Sequence, residues 1–229
     1  MLFPFWDSTF LLIIPGLILA LWAQAKVRNA YNKWARVRTQ SGLTGAEIAK
    51  IILDGYRLSD IPVREIPGEL TDNYDPIKKR LNLSESVYES NSVAAIGIAA
   101  HEAGHAIQHN FNYIPLKLRN GIFPVASFGS TLAFPLFFIG LIMGYNKFLM
   151  DLGILLFTGF VAFTLITLPV EFNASKRAIA ILQNSGYFSR QELIGVREVL
   201  SAAALTYVAS AATAILQLLR LLILRGDRD

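Results

Sequence analysis

The chain has 229 residues, of which 53% are hydrophobic and 17% charged, and its mean hydropathy is +0.43. That is too apolar for an ordinary water-soluble domain and too charged for membrane spans throughout, so the sequence describes an integral membrane protein with one substantial polar region. Cysteine is absent and the formal charge is only +4, which excludes disulfides and thiolate metal ligands. The basic residues cluster at the ends of apolar runs and form no arginine-rich or aromatic-interleaved patch, so nucleic acid is not an expected partner.

Four apolar stretches approach the roughly 20 helical residues that cross a hydrocarbon core: residues 8–25, 121–144, 152–170 and 200–222. The first reads as a retained anchor and not a signal peptide, because Met1 to Asp7 contains no Lys or Arg. Pro15, Pro124 and Pro135 lie inside these stretches, where membrane helices tolerate them.

The polar region, residues 26–119, holds thirteen of the 21 Lys and Arg residues and is expected to carry the chemistry. Ser41-Gly42-Leu43-Thr44 ends one amphipathic helix, and Thr44 or Ser41 can cap another running to Gly55. Residues 61–69, with Pro62 and Pro67, read as short extended pieces. Asp75-Pro76 makes a turn before residues 78–84, where Leu81 and Leu83 alternate with polar neighbours as in a strand with one apolar face. That strand is either an edge able to pair with an extended peptide or an ordinary member of a small sheet. Lys78, Lys79 and Arg80 beside it suit anionic lipid head groups. From Ser92 to His109 the sequence is an Ala-rich helix, and small side chains suit a helix buried on several sides.

Lys and Arg near span ends favour the cytoplasmic side. Lys26, Arg28, Lys33, Arg36 and Arg38 follow the first span, and Lys117 and Arg119 precede the second, which predicts a cytoplasmic polar domain. The second and third spans form a hairpin whose outer turn, residues 145–151, has the single basic residue Lys147. Full crossing by the fourth segment would carry Arg220, Arg225 and Arg228 outside, so it is expected to lie partly along the interface or to pack against the polar domain.

His101-Glu102-Ala103-Gly104-His105 is the most informative stretch. A helix sets residues four apart on one face, so both imidazoles can reach one metal ion while Glu102 stands beside it as a base, the HExxH pattern of zinc metallopeptidases. Two of the chain's three histidines fall inside it. A catalytic zinc takes three protein ligands and keeps an open position. His109 is unsuited to be the third, because eight residues along a helix amount to about 12 Å of rise and about 80° of offset from His101. The remaining ligand is then a carboxylate. Glu171, immediately after the third span, returns to the same side as His101 and His105; Glu192 is the fallback.

Asp72-Asn73-Tyr74-Asp75-Pro76, Leu81-Asn82-Leu83-Ser84, Asn91-Ser92-Val93-Ala94-Ala95, the block from His101 to His109, and Glu171-Phe172-Asn173-Ala174-Ser175 together resemble the YugP-type bacterial membrane neutral zinc metallopeptidases over nearly the whole chain. More distantly the arrangement is similar to the HtpX-type membrane proteases and the type I CAAX prenyl proteases, which are gluzincins. The resemblance implies a mainly α integral membrane protein with about four transmembrane helices and a zincin-like cytoplasmic domain carrying a small β-sheet. It implies Zn2+ held by His101, His105 and Glu171, with Glu102 as the catalytic base. Ser175 stands where those distant relatives carry an Asp.

The expected organisation is an anchor at 1–25, the zincin-like domain at 26–119, a transmembrane hairpin at 120–170, a helix with the third ligand at 171–198, and a fourth apolar helix with charged tail at 199–229. The expected activity is a membrane-embedded zinc-dependent metalloendopeptidase. Its expected partners are protein or peptide substrates, membrane proteins among them, and the lipid bilayer. The alternative is a non-catalytic zinc-binding membrane scaffold or regulator. An ATP-dependent protease is disfavoured because the chain has no GxxxxGK[ST] loop. Tyr74, Tyr88, His109, Asn173 and Arg177 are all open as donors to a developing oxyanion.

Overall fold

A computed structural model describes residues 8–226; Met1 to Asp7 at the anchor's start, and Asp227, Arg228 and Asp229 in the expected tail, lie outside that range. Four of its helices are long and apolar enough to cross a membrane. They are α1 (Ile14–Trp34), entered through a 3-10 turn at Ser8–Leu12, α5 (Ile114–Ile142), α6 (Lys147–Asn184) and α7 (Arg190–Gly226). Between α1 and α5 come α2 (Gly45–Gly55), β1 (Val63–Ile66), β2 (Asn73–Asp75), β3 (Arg80–Ser84), α3 (Glu85–Tyr88) and α4 (Val93–Asn110). The protein is therefore mainly helical with one small sheet, as the sequence predicts. α1, α6 and α7 run on beyond the C-terminal ends of their expected spans, whereas α5 starts earlier than expected and ends at Ile142. Glu171 thus sits within α6 and does not begin a new segment.

Among the described residues the chain divides into two compact units, one of residues 8–24, 115–169 and 205–226, the other of residues 25–114 and 170–204. The first unit packs Ala133, Phe137, Met150, Phe157, Val161, Ala214 and Leu221 together. A Cβ added at Gly129 would stand 2.5 Å from the Leu156 carbonyl oxygen, and one at Gly153 2.6 Å from that of Ala133. Missing side chains on both helices thus let α5 and α6 touch backbone to backbone, the small-residue packing that replaces hydrophobic attraction in lipid.

The fourth segment, residues 200–222, falls across the two units. Residues 205–226 belong to the first unit with parts of the other spans, and residues 200–204 to the second. Its basic residues are accommodated locally. Arg220 is buried, with Nε donating to Thr9 Oγ1 at 3.2 Å and the guanidinium 5.6 Å from the Phe10 ring centroid. Arg225 forks onto Asp151 with bonds of 2.9 and 3.2 Å. Asp151 lies in the second turn of α6, because the chain reverses earlier, around Gly144 and Tyr145 in left-handed backbone.

In the second unit Thr44, and not Ser41, caps α2: its hydroxyl accepts from the Glu47 N–H while Glu47 accepts from the Thr44 N–H, a reciprocal capping box. The sheet order is β1-β3-β2, with β1 parallel to β3 and β2 antiparallel to it. Of the two readings open for this strand, an edge or an ordinary member of a small sheet, the second holds: β3 is central, and both its faces are covered. Asn82 and Ser84 are buried along with Leu81 and Leu83, because Asn82 donates to Asn73 Oδ1 and the Ser84 N–H and hydroxyl bond to the Asp72 carboxylate. Burial of polar residues in a strand calls for such partners, and Asn82 Oδ1 is left without one.

Ser92 caps α4 by accepting from the Ala95 N–H. Ala94, Ala99, Ala100 and Ala103 are fully buried, so neighbours approach α4 from several sides. Early α7 is one of them. A Cβ on Gly195 would come within 2.5 Å of the Trp34 ring and 2.7 Å of Val93, and neither can retreat inside a closed core. Gly195→Ala is expected to cost about 1–3 kcal/mol of stability by overpacking, read as a lowered thermal midpoint of the purified protein; an unchanged midpoint contradicts this packing.

Candidate metal centre

His101 and His105 stand one turn apart on α4 with ring centroids 4.7 Å apart and planes at 86°. Their Nε2 atoms are 3.1 Å from each other. Glu171, on α6 and almost wholly buried, brings Oε2 to 3.2 Å from His101 Nε2 and 3.4 Å from His105 Nε2. The three donor atoms therefore form a nearly equilateral triangle. Ligands held tetrahedrally at about 2.0–2.1 Å from zinc lie about 3.3–3.4 Å from one another, so the triangle has the size of one face of that tetrahedron. These three residues form a group able to hold a metal ion, and their nitrogen and oxygen donors are those zinc accepts.

Gly104 makes the triangle possible. A Cβ there would lie 2.9 Å from the Ala174 carbonyl oxygen, so α4 and α6 meet backbone to backbone beside the ligands. Ala174, three residues after Glu171, is itself fully buried.

Glu102 is next to His101 in sequence but outside the triangle. Burial pushes its carboxyl up to about 7, helped by the negative charges of Glu171 and Asp72 and opposed by His101 and a hydrogen bond from the Tyr74 backbone. His109, as its helical offset predicts, is not in the ligand group. Its Nδ1 lies 2.8 Å from the Tyr74 hydroxyl. Burial and the charges of Asp60 and Asp75 raise that phenol to about 12, so at neutral pH it keeps its proton.

Other carboxylates that follow the histidines in sequence are used elsewhere. Glu192 accepts from the Gln40 N–H at 2.6 Å and exchanges hydrogen bonds with Ser189 at the start of α7, which removes the fallback ligand. Asp151 pairs with Arg225, and Glu198 takes bonds from Lys33 and the Trp34 indole. Asn173 and Arg177 bond to each other and not to the triangle.

Two residues touch the outer nitrogens of the histidines. Ser175 Oγ lies 3.1 Å from His101 Nδ1, and Gln108 Oε1 lies 3.0 Å from His105 Nδ1. Gln108 did not stand out in the sequence, although its place three residues after His105 on one helix face was a signal that could have found it.

Fold and site together define a helical membrane protein whose polar unit carries two histidines and one glutamate grouped closely enough to hold a metal ion. The chain belongs to the family described as "Putative neutral zinc metallopeptidase", which matches residues 9–226. It is 49% identical over 219 residues to the "Putative membrane protease YugP" of Bacillus subtilis (strain 168), covering 95% of this chain and 97% of that protein. No solved structure matches the chain.

Gly104→Ala is expected to push α6 away from α4 and weaken zinc binding by about 10- to 100-fold, the scale on which disturbing a ligand's surroundings acts. Competition against a chromophoric chelator measures it, and wild-type affinity in the variant contradicts the contact.

Proposed function

We propose that this protein is a membrane-embedded zinc metalloendopeptidase of the gluzincin arrangement, with His101, His105 and Glu171 as metal ligands and Glu102 as the general base. The triangle of donor atoms, 3.1 to 3.4 Å on each side, carries this reading. The family and the relative supply the peptidase half of it.

When bound, zinc supplies Lewis acidity, making water a nucleophile at neutral pH and polarising the scissile carbonyl. The two neutral imidazoles and one carboxylate leave the site a net positive charge. Glu102, outside the ligand group, accepts the attacking water's proton on a carboxylate oxygen and returns it to the leaving amine nitrogen. Its buried setting favours proton uptake, which suits a base that must also serve as the acid. The flanking Lys and Arg residues favour placing this site on the cytoplasmic side of the membrane. Peptides and proteins in or near the bilayer are the proposed substrates.

Glu102→Gln is expected to retain about one zinc per chain while proteolysis of an unfolded substrate falls by about 10²- to 10⁴-fold; full activity in that variant overturns the assigned base. For the wild-type protein, chelation is expected to abolish hydrolysis and zinc to restore it. Purified protein that holds zinc and cleaves nothing across a panel of unfolded substrates overturns the peptidase reading in favour of a zinc-binding scaffold.

A further inference from the structure

We propose that Gln108 is the positioning residue that aims His105 at the metal, and that Asn173 and Arg177 fix the direction in which the Gln108 amide points. The inference rests on the metal-site reading above. The argument concerns which atoms can donate.

Gln108 is fully buried, and its amide contacts three groups. Its Nε2 lies 2.8 Å from the Val170 carbonyl oxygen and 3.0 Å from Asn173 Oδ1. A backbone carbonyl can only accept. Asn173 could in principle present either end of its amide, but Arg177 Nε donates to its Oδ1 at 2.8 Å, and a guanidinium only donates. Arg177 therefore turns the Asn173 oxygen toward both partners. With two acceptors on one side, the Gln108 nitrogen must face them and its Oε1 must face His105 Nδ1 at 3.0 Å. Reversing the amide would set its oxygen against two other oxygens in a buried space, with no hydrogen between them.

The consequence falls on the imidazole. Opposite an oxygen that can only accept, His105 Nδ1 carries the proton, which leaves Nε2 as the nitrogen available to a metal. That is the atom in the triangle. Neutral imidazole in water prefers its proton on Nε2, so the network holds His105 in the less common form, ready to coordinate. His101 is supported differently. Ser175 Oγ, 3.1 Å from its Nδ1, is a hydroxyl able to donate or accept, and imposes no polarity. Of the two histidines, His105 is the fixed one. Its support also bridges helices, since Gln108 is on α4 while Val170, Asn173 and Arg177 are on α6.

Three variants and two measurements test the proposal: zinc affinity by chelator competition, and the protonation of His105 Nδ1 by long-range proton–nitrogen correlation spectra of histidine-labelled, zinc-free protein. Gln108→Met keeps the length of the side chain and removes its hydrogen bonds. It is expected to lose about 10- to 100-fold in zinc affinity and to move the His105 proton at least partly from Nδ1 to Nε2. Asn173→Asp preserves an acceptor for both Gln108 and Arg177 and is expected to retain wild-type affinity and the Nδ1 proton, whereas Asn173→Leu is expected to lose both. Gln108→Met with wild-type affinity and an unchanged His105 spectrum overturns the proposal. So does an Asn173→Asp variant as impaired as Asn173→Leu, because position 173 would then be one of packing and not of acceptance. A wild-type protein in which Gln108 controls the His105 proton but no zinc binds leaves the relay standing and overturns the metal-site reading instead.

Discussion

Three donor atoms from two helices must lie within 3.4 Å of one another, and the polar unit is organised around that requirement. Side chains of ordinary bulk would hold two helix axes 8–10 Å apart. Gly104 against the Ala174 carbonyl brings the backbones closer, so the short Glu171 side chain can meet two imidazoles rooted on the neighbouring helix. The run of buried alanines on α4 follows from the same need, since a helix approached from several sides has little room for its own side chains.

The proposed base and the proposed ligands are kept distinct by one residue of helical phase. Positions 101 and 105 share a face, and position 102 is turned by about 100°. Glu102 consequently lies near the charges of the site without joining the donor triangle, and burial governs its proton affinity. Gln108, Asn173 and Arg177 do the complementary work on the far side of His105, where every hydrogen bond has only one possible direction. The His105 imidazole is thus held by a chain of partners that ends on a carbonyl able only to accept and a guanidinium able only to donate.

Much of this was legible in the sequence because it rests on period and length. Four apolar stretches gave four spans, and the i,i+4 histidines gave a shared face. Glu171 followed from where a hairpin must return. The capping box at Thr44 and Glu47 was present in the residues as one of two options that only coordinates could separate. What stayed hidden depends on contacts distant along the chain. The central position of β3 follows from β1 crossing over to pair in parallel and from Asp72 and Asn73 satisfying Ser84 and Asn82, none of which leaves a local mark. The partners of Arg220 and Arg225 are 211 and 74 residues away, so no count of charges along the chain could have found them.

The shape of the donor triangle also bears on which metal the protein selects. Affinity for imidazole and carboxylate ligands rises along the first-row divalent ions to copper, so binding strength by itself would favour copper or nickel over zinc. Square-planar coordination, which those ions favour, would place three ligands in a T, with one pair at twice the bond length, about 4 Å. Here no pair is farther apart than 3.4 Å, and the helices on either side are in backbone contact and cannot spread cheaply. For any ion held by this group, the missing side chain at Gly104 would thus work against a T-shaped arrangement of the three donors.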